Sequence, residues 1–462
     1  MPPASPFRPH SALAAPAEEI RSAAPGAPPH WRRGRARPRV IAWLLGLAVI
    51  AALVWVAWDR LLFAPVEGFA YHEPDARYEA LFPYYVELCA TSQYRSAELG
   101  SGGSPGHAVM YLKGACRDRD APFPKLRRCA GNVTDPADPE HGAGISVNRW
   151  FRNVNWVAFD GRGQFFDGEV RRGEVVTRAR LEAVARKAIA DGIYRGIELW
   201  PYPGQLPEPD LLDFVTRHSV GTDFALRYAR SSLCGRVPVE PAMMDEIIHF
   251  LNDLNREFAT GAVDYHWNGY HDNCVHTLRN ALAAASMREP IAVWATKLRQ
   301  LFHLAIPANE AINLAALATK GPIDSYPTIF ADAPMRDGML EFSWLPTRHG
   351  AVLVSLPVHP DNQVFDPQPR LLIFQGPATI RTTHSLLKML DDPRFTDLEP
   401  NLAHFRDVYR DILSRRDQPD PFEALRGNRY RRVRRRYFSV IEAALREVER
   451  MQSALGSPSG ER

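Results

Sequence analysis

The feature that most limits how this chain folds is an apolar run without a charged residue, from Val40 to Trp58. Its length is close to the ~20 residues that a helix needs to cross the ~30 Å hydrocarbon core of a bilayer. The positive charges stand almost entirely before the run, at Arg32, Arg33, Arg35, Arg37 and Arg39. By the positive-inside rule, the N-terminus is predicted in the cytoplasm and everything after Asp59 outside it. Residues 40–58 therefore predict a single-pass transmembrane anchor, with a cleaved signal peptide as the competing interpretation.

The composition differs on the two sides of this run. Residues 1–39 are rich in Pro, Ala and Ser and lack a sustained apolar period, which predicts a disordered cytoplasmic tail. The chain as a whole is 45% hydrophobic, enough to build globular cores. Its net charge of +3 is too small to indicate nucleic-acid binding.

The predicted anchor would place the globular part in an oxidising space, where disulfides persist. The chain has five cysteines, which fit two bridges and one free thiol. Cys116 and Cys129 flank a short loop rich in Pro, Arg and Asp and are predicted to pair, which leaves Cys89 and Cys234 for each other. The alternative is that these four thiols are buried and unbridged. Cys274 is predicted to stay unpaired.

Cys274 stands at the foot of a predicted helix. Asp272 and Asn273 are good N-cap residues, and apolar residues then recur at helical spacing, at Val275, Leu278, Leu282 and Ala285. A thiol in the first helical turn is close to unpaired amides and the positive end of the helix dipole, so we expect its pKa to fall below about 8.5. Such a cysteine is a candidate nucleophile once the fold brings a histidine to it.

His107 is the histidine that the pattern selects. It follows a Gly-rich loop at residues 100–106 and opens a short apolar strand, a position where a side chain is exposed and rigidly held. Residues 154–170 predict two more strands of the same antiparallel sheet. Asn155 or Asp160 would then orient the imidazole as a third group, although either also suits a turn.

The run just before and after Cys274 supports two interpretations. Its aromatic residues, Tyr265, Trp267 and Tyr270, would wall a substrate cleft or simply pack. Its histidines also suggest a zinc site, although the spacing matches no common zinc module. That alternative site would consist of His266, His271, Cys274 and His276.

Two short motifs carry a resemblance to a known family. Gly106-His107 at the head of a strand, and later Asp272-Asn273-Cys274 opening a helix that contains Arg279, resemble the permuted papain-like, NlpC-type thiol hydrolases. Among them the chain is most similar to the bacterial family named for the Lnb N-terminal periplasmic domain, and more distantly to lecithin-retinol acyltransferase. The likeness covers about residues 80–290.

The resemblance implies an α+β fold, with a permuted papain-like core of antiparallel sheet packed on helices behind the transmembrane helix. It implies that His107 activates Cys274 for attack on an acyl carbonyl, with no cofactor. Gly106, Asp272, Asn273 and Arg279 would line the cleft. The expected substrates are amides of peptidoglycan or acyl esters of lipids, and the expected location is the bacterial inner membrane with the globular part in the periplasm.

The sequence predicts three regions after the anchor. The Cys/His domain is assigned to residues 70–320, an accessory region with a small sheet of its own to 321–415, and a basic helix to 416–462. Arginines and aromatic residues alternate in that helix, which suggests contact with anionic lipid or a solvated helix face. A further alternative for the whole protein is an envelope binding protein that retains the fold with a buried, inert Cys274.

Overall fold

The computed structural model describes the second of two compact units of the chain, Trp58–Arg462, over most of its length. The described residues are 46, 63–66, 70–72, 75–96, 100–101, 106–171, 173–208, 210–285, 287–288, 290–293, 305–311, 314, 349–367, 370–374, 387–419 and 423–456. The predicted tail at 1–39 lies outside these residues, and so does the predicted anchor at 40–58 apart from Gly46.

The strands are short and separated by turns. In chain order they are β1 (Phe63–Val66), β2 (Tyr85–Thr91), β3 (Tyr94–Ser96), β4 (Gly100–Ser101), β5 (His107–Lys113), β6 (Ala115–Arg117), β7 (Leu126–Arg128), β8 (Gly142–Val147), β9 (Trp156–Asp160), β10 (Ser232–Pro238), β11 (Val352–Leu356), β12 (Asp366–Pro367) and β13 (Leu371–Phe374).

The helices fall mainly between β9 and β11 and after β13. They are α1 (Tyr78–Leu81), α2 (Arg162–Asp167), α3 (Arg178–Ala190), α4 (Leu211–His218), α5 (Pro241–Ala259), α6 (Cys274–Ala284), α7 (Pro393–Thr396), α8 (Leu398–Ser414) and α9 (Glu423–Gly456). A 3-10 turn at Leu226–Tyr228 precedes β10.

A six-stranded antiparallel sheet with the order β11-β10-β2-β5-β8-β9 forms the centre. Its four inner strands, β10, β2, β5 and β8, are buried along their whole length, because both faces of the sheet are covered. On β9 the side chains alternate between these faces. Trp156 on β9 donates its indole N–H to the carbonyl of Leu251 in α5. On the neighbouring strand β8, Gly144 has no side chain and leaves room for Phe165 of α2.

Helix α6 packs beside α5 and against β5 and β8. Its apolar spacing explains this placement, because Val275, Leu278 and Leu282 are all buried. The amphipathic face predicted for α5 is also buried, through Met244, Ile247 and Leu251. The first residue of α6 is therefore held against the sheet.

Strands β11 and β13, which come late in the chain, pair with earlier strands. We expected the apolar runs near 351–356 and 371–374 to form a small appended sheet. Instead β11 pairs with β10 at the edge of the central sheet, and β13 pairs with β1. The reason is that β10 otherwise has an unpaired edge, which a buried strand cannot leave open.

The fold class predicted from the sequence requires correction. The structure is α+β, with the antiparallel sheet and helices described above. Across the part of the chain that the structure describes, no helix combines the length and the apolar composition that a bilayer crossing needs. The prediction of a core behind a transmembrane helix is therefore corrected to an α+β core with no such helix among the described residues.

The long C-terminal helix α9 packs on α8. The sequence left two alternatives for this helix, contact with anionic lipid or a solvated face beside a packed one, and Tyr437, Phe438 and Ile441 of α9 are buried. Arg434 donates to the carbonyl of Arg416 at the end of α8. The aromatic residues of this helix thus contribute to the core.

Candidate functional site

Cys274 is the first residue of α6, and its neighbour Asn273 caps the helix. The Asn273 side-chain oxygen accepts hydrogen bonds from the amides of Val275 at 2.9 Å and His276 at 3.4 Å. In return, His276 Nδ1 accepts from the Asn273 amide at 3.2 Å, which completes a capping box. The position of Cys274 at the helix start is therefore fixed from both sides.

The sulfur of Cys274 lies next to the histidine strand. Its Sγ accepts a hydrogen bond from the amide of Ala108 at 3.4 Å, and Ala108 directly follows His107. The β5–β8 ladder begins one residue later, at Val109 and Ser146. The thiol thus sits where the ladder starts, close to amides of β5 and of its own helix turn.

Burial controls the ionisation of this thiol. Only 5% of Cys274 is exposed. Burial raises the pKa of Cys274 to about 11, although the amides of Ala108 and Val275 and the charge of Arg230 act in the opposite direction. Our expectation of a lowered pKa at the helix start is wrong for this state, since desolvation of the thiolate outweighs the helix end.

His107 is the first residue of β5 and is also buried. Its Nε2 lies 2.8 Å from the Ser146 hydroxyl oxygen, and that hydroxyl donates to Asp223 at 2.8 Å. Because Ser146 has one proton and gives it to the carboxylate, Nε2 must be the protonated donor and Nδ1 the unprotonated nitrogen. Burial and the charge of Arg230 lower the pKa of His107 to about 3, so the ring is a neutral base.

Asp223 anchors this chain of hydrogen bonds. Besides Ser146, it accepts from the Asn148 amide at 2.7 Å and from the Ser219 hydroxyl at 2.8 Å. Burial raises the pKa of Asp223 to about 6, against the effect of these three donors. The carboxylate is ionised near neutral pH and holds the His107 ring in one orientation through Ser146.

Asp160 does not have the role predicted for it. On β9 it pairs with Ala143, near the end of β8 that faces Lys113 rather than His107. The length of β5 separates these two ends by roughly 20 Å at about 3.3 Å per residue. Its carboxylate instead accepts from Arg117 at 2.7 Å and Arg119 at 3.1 Å. The third group of the site is Asp223, acting through Ser146.

Sequence reasoning missed Ser146, Asp223 and Arg230. Ser146 had a weak signal, a hydroxyl inside the apolar strand β8. Asp223 and Arg230 had none, because they lie in a turn and just before β10, far from either motif along the chain.

Arg230 brings a buried cation to this region, with 1% of the residue exposed. Its Nη1 donates to the Thr91 hydroxyl at 2.8 Å, and Thr91 in turn donates to the carbonyl of His107. The guanidinium carbon lies 4.9 Å from the centre of the Tyr94 ring. The positive charge is thus linked to the strand that carries the histidine.

The residues predicted to line a cleft are distributed differently. Tyr265 is fully buried and packs edge-on against Phe258, so it is a core residue in this state. Trp267 is 38% exposed and Tyr270 69% exposed. Exposed aromatic side chains at this spacing remain available for binding.

The other predicted cleft residues have structural partners. Gly106 has a φ of +109°, and a Cβ there would lie 2.4 Å from the carbonyl oxygen of Thr91. Arg279 of α6 pairs with Glu310 at 3.4 Å. Burial raises the pKa of Asp272, next to the cap residue Asn273, to about 7. Gly106 and Asn273 therefore fix the two chain segments that meet at the thiol.

The four potential zinc ligands do not converge. His266 stacks on Trp200, and His276 caps its own helix. Among the described residues, the closely spaced potential ligand groups are Glu87 with Cys89 and Cys234, and Cys116 with Cys129 and Glu140. Neither group contains a residue of the set predicted from the sequence.

The other four cysteines form disulfides. Cys89 on β2 is bonded to Cys234, which lies directly opposite on β10, and Cys116 on β6 is bonded to Cys129. Cys274 is the free cysteine. In each of the two potential ligand groups, the two cysteine sulfurs are therefore already bonded to each other.

The cysteine site and a cavity elsewhere among the described residues are lined by different residues. One cavity among the described residues is lined by Asp118, Phe123, Lys125, Asn252 and Arg256, none of which belongs to the cysteine site. The chemistry favours the cysteine site, because it combines a nucleophile, an oriented base and backbone amides next to the sulfur. Comparison with protein-family models, with curated proteins and with solved structures finds no match to the chain.

Proposed function

We propose that the protein is a thiol hydrolase or acyltransferase that uses Cys274 and His107 on an amide or ester of the cell envelope. The observation that supports it most is the placement of the Cys274 sulfur against the amide that follows His107. A free thiol, an oriented neutral imidazole and several amides at one helix start are the components that acyl transfer needs. The likeness of the two short motifs to permuted papain-like enzymes agrees with this choice.

In the proposed reaction, His107 Nδ1 takes the thiol proton as Sγ attacks the acyl carbonyl carbon. The carbonyl oxygen becomes an oxyanion that accepts from the backbone amide of Cys274, because the Asn273 side chain occupies the amides of Val275 and His276. The bond from the carbonyl carbon to the leaving nitrogen or oxygen then breaks, and the imidazolium gives its proton to that leaving group. Water or another acceptor attacks the resulting thioester, again with His107 taking a proton, and the thiol is regenerated.

The resting state requires an activation step. In the structure, Sγ has its hydrogen bond with Ala108 and none with the imidazole, while Nε2 of His107 is held by Ser146. With the pKa of Cys274 raised to about 11 and that of His107 lowered to about 3, the resting pair is neutral. A movement that brings Sγ and Nδ1 together must therefore accompany substrate binding.

We also propose that the globular part works in the periplasm. One disulfide, Cys89–Cys234, joins the neighbouring strands β2 and β10, and the other, Cys116–Cys129, closes a short loop. Disulfides persist in oxidising compartments but are rare in the cytosol. Substrates of that compartment include the peptides of peptidoglycan and the acyl chains of phospholipids. Both offer carbonyl carbons that a thiolate can attack.

The test is to trap the acyl enzyme. Wild-type protein is incubated with soluble peptidoglycan fragments and, separately, with phospholipid vesicles, then quenched in acid and analysed by intact mass and peptide mapping. We expect an adduct on Cys274 that hydroxylamine removes. Cys274→Ser must abolish it, and His107→Ala must reduce it strongly, while Asp160→Asn, remote from the thiol, must leave it unchanged. Absence of an adduct from both substrates would refute the proposal.

One observation favours a second function, a binding protein without catalysis. Cys274 is 95% buried and its pKa is raised, as expected for an inert core cysteine. In that case the exposed Trp267 and Tyr270 are the binding residues. The same vesicles and fragments would then bind with equal affinity to wild-type protein and to Cys274→Ala, and no thioester would form.

A further inference from the structure

Among the residues that the structure describes, Arg230 carries an unusual buried charge. A buried arginine is normally paired with a carboxylate, because an unpaired cation in the interior is costly. Among the described residues, the other two buried arginines follow this rule, since Arg117 pairs with Asp160 at 2.7 Å and Arg236 pairs with Glu87 at 2.8 Å. Within the described part of the chain, no carboxylate lies within 4.0 Å of Arg230.

The hydrogen bonds of Arg230 are also incomplete. Its Nε is buried without a hydrogen-bond partner among the described residues. Its Nη1 donates to a neutral acceptor, the Thr91 hydroxyl. Asp223 attracts Arg230 electrostatically but directs its hydrogen-bonding capacity to Ser146, Asn148 and Ser219. The guanidinium therefore has donor capacity and charge that this fold does not use.

The charge of Arg230 is connected to the thiol region through hydrogen bonds. Arg230 binds Thr91, Thr91 binds the carbonyl of His107, and the next amide, Ala108, binds Sγ of Cys274. Arg230 and Cys274 also interact electrostatically, each with the other. An anion that enters beside Cys274 would meet a positive charge already stripped of water, which strengthens the attraction.

We propose that the cysteine site takes acyl donors that carry an anionic group, a carboxylate or a phosphate, and that Arg230 binds this group and sets the specificity. This inference rests on the proposed thiol chemistry and names its substrate class. A carboxylate would come from a peptide end and a phosphate from a lipid headgroup. Both match the planar, bidentate donor pattern of a guanidinium.

The first test compares two alkylating reagents on Cys274, the anion iodoacetate and the neutral iodoacetamide. Their rate ratio at one pH does not depend on the thiolate fraction, so the raised pKa does not enter. We expect the ratio in native protein to exceed that in urea-unfolded protein by about tenfold or more, the effect of a unit charge a few ångströms away. Equal ratios in native and unfolded protein would overturn the inference, without need of any variant.

The variants assign the effect to one residue. Arg230→Met should return the ratio to the unfolded value, and Arg230→Lys should keep most of it. Arg227→Met is the matched control, because Arg227 stands in the same segment but is paired with Asp167 at 3.0 Å, and it should leave the ratio unchanged. A preference that survives in folded Arg230→Met would show that another group carries it.

The source of the anion is separated by protection. D-alanyl-D-alanine and sn-glycerol 3-phosphate are added at rising concentration during iodoacetamide labelling. Protection by the dipeptide indicates a peptide carboxylate, protection by the phosphate indicates a lipid headgroup, and protection by neither contradicts the inference. If the ratio of the iodoacetate rate to the iodoacetamide rate is the same in native and unfolded protein, the inference about Arg230 fails and the proposed thiol chemistry stands. If native Cys274 cannot be labelled at any pH, the proposed thiol chemistry fails as well.

Discussion

The reactivity of Cys274 towards a neutral reagent should follow its burial rather than its helix position. The perturbation is pH, varied from about 6 to 11 in the folded protein. Burial raises the pKa of Cys274 from 9.0 to about 11. For a shift of this size, the thiolate fraction below pH 9 is roughly a hundredfold smaller than that of an ordinary thiol, since each pKa unit is a factor of ten.

The assay is the rate of iodoacetamide labelling without reductant, followed by peptide mapping. Disulfides occupy the other four cysteines, so the free thiol that reports is Cys274. The folded protein should label with an apparent midpoint near pH 11. The same protein in urea is the control and should show the midpoint of an ordinary thiol, with rates at pH 8 about a hundredfold higher.

A native midpoint below pH 8, at a rate equal to or above that of the unfolded protein, would refute the reasoning. It would mean that amides at the helix start and the charge of Arg230 outweigh desolvation. His107→Ala separates the contributions further. It should leave the native midpoint nearly unchanged, because the imidazole is neutral and bonded to Ser146 in this state.

Three further predictions concern stability. Because the pKa of Asp223 is raised from 3.8 to about 6, the folded state holds a proton that the unfolded state releases between these pH values. The free energy of unfolding should therefore fall by up to about 3 kcal/mol as pH rises through this window. In Asp223→Asn this loss should disappear, and parallel plots of unfolding free energy against pH for wild type and variant, from urea unfolding at pH 4 to 7, would contradict it. Asn273→Ala should cost about 1–2 kcal/mol through loss of the N-cap, measured by the same method, whereas Asn273→Asp should retain most of it. Gly106→Ala should cost about 1–3 kcal/mol or more, since its φ is +109° and its Cβ would lie 2.4 Å from the Thr91 oxygen, and Gly173→Ala, with a φ of +86° and open space around it, gives the backbone cost alone.

The sequence was informative wherever the decisive interaction is local. Helix α6 begins at Cys274 with Asn273 as its cap, as the residue pattern indicated, because a cap depends on neighbours within three positions. The buried face of α5 follows from its period in the same way. Strand β5 starts at His107 because glycine at 106 permits the positive φ that the entry requires.

The rest depended on contacts between distant segments. Asp223 reaches Ser146 only because the turn after α4 folds over β8, and no spacing rule connects the two. The pKa of Cys274 depends on how completely both sheet faces are covered, which involves elements from the whole chain. Asp160 was one of two polar residues chosen on strands predicted to pair with the His107 strand, but the strand register places it near the opposite end of β5.

The strand order has a consequence for how the protein acquires its shape during synthesis. Strands β2, β5, β8 and β9 are made first and pair in sequence, so this half can assemble as the chain emerges. The opposite half must wait, because β10 adds to β2 about 145 residues after Cys89 and β11 follows more than a hundred residues later. Until then β2 offers an open edge and a reactive thiol. We expect a secretion-arrested chain ending near residue 220 to remain dependent on chaperones and prone to wrong disulfides, and one extended past residue 360 to become resistant to protease.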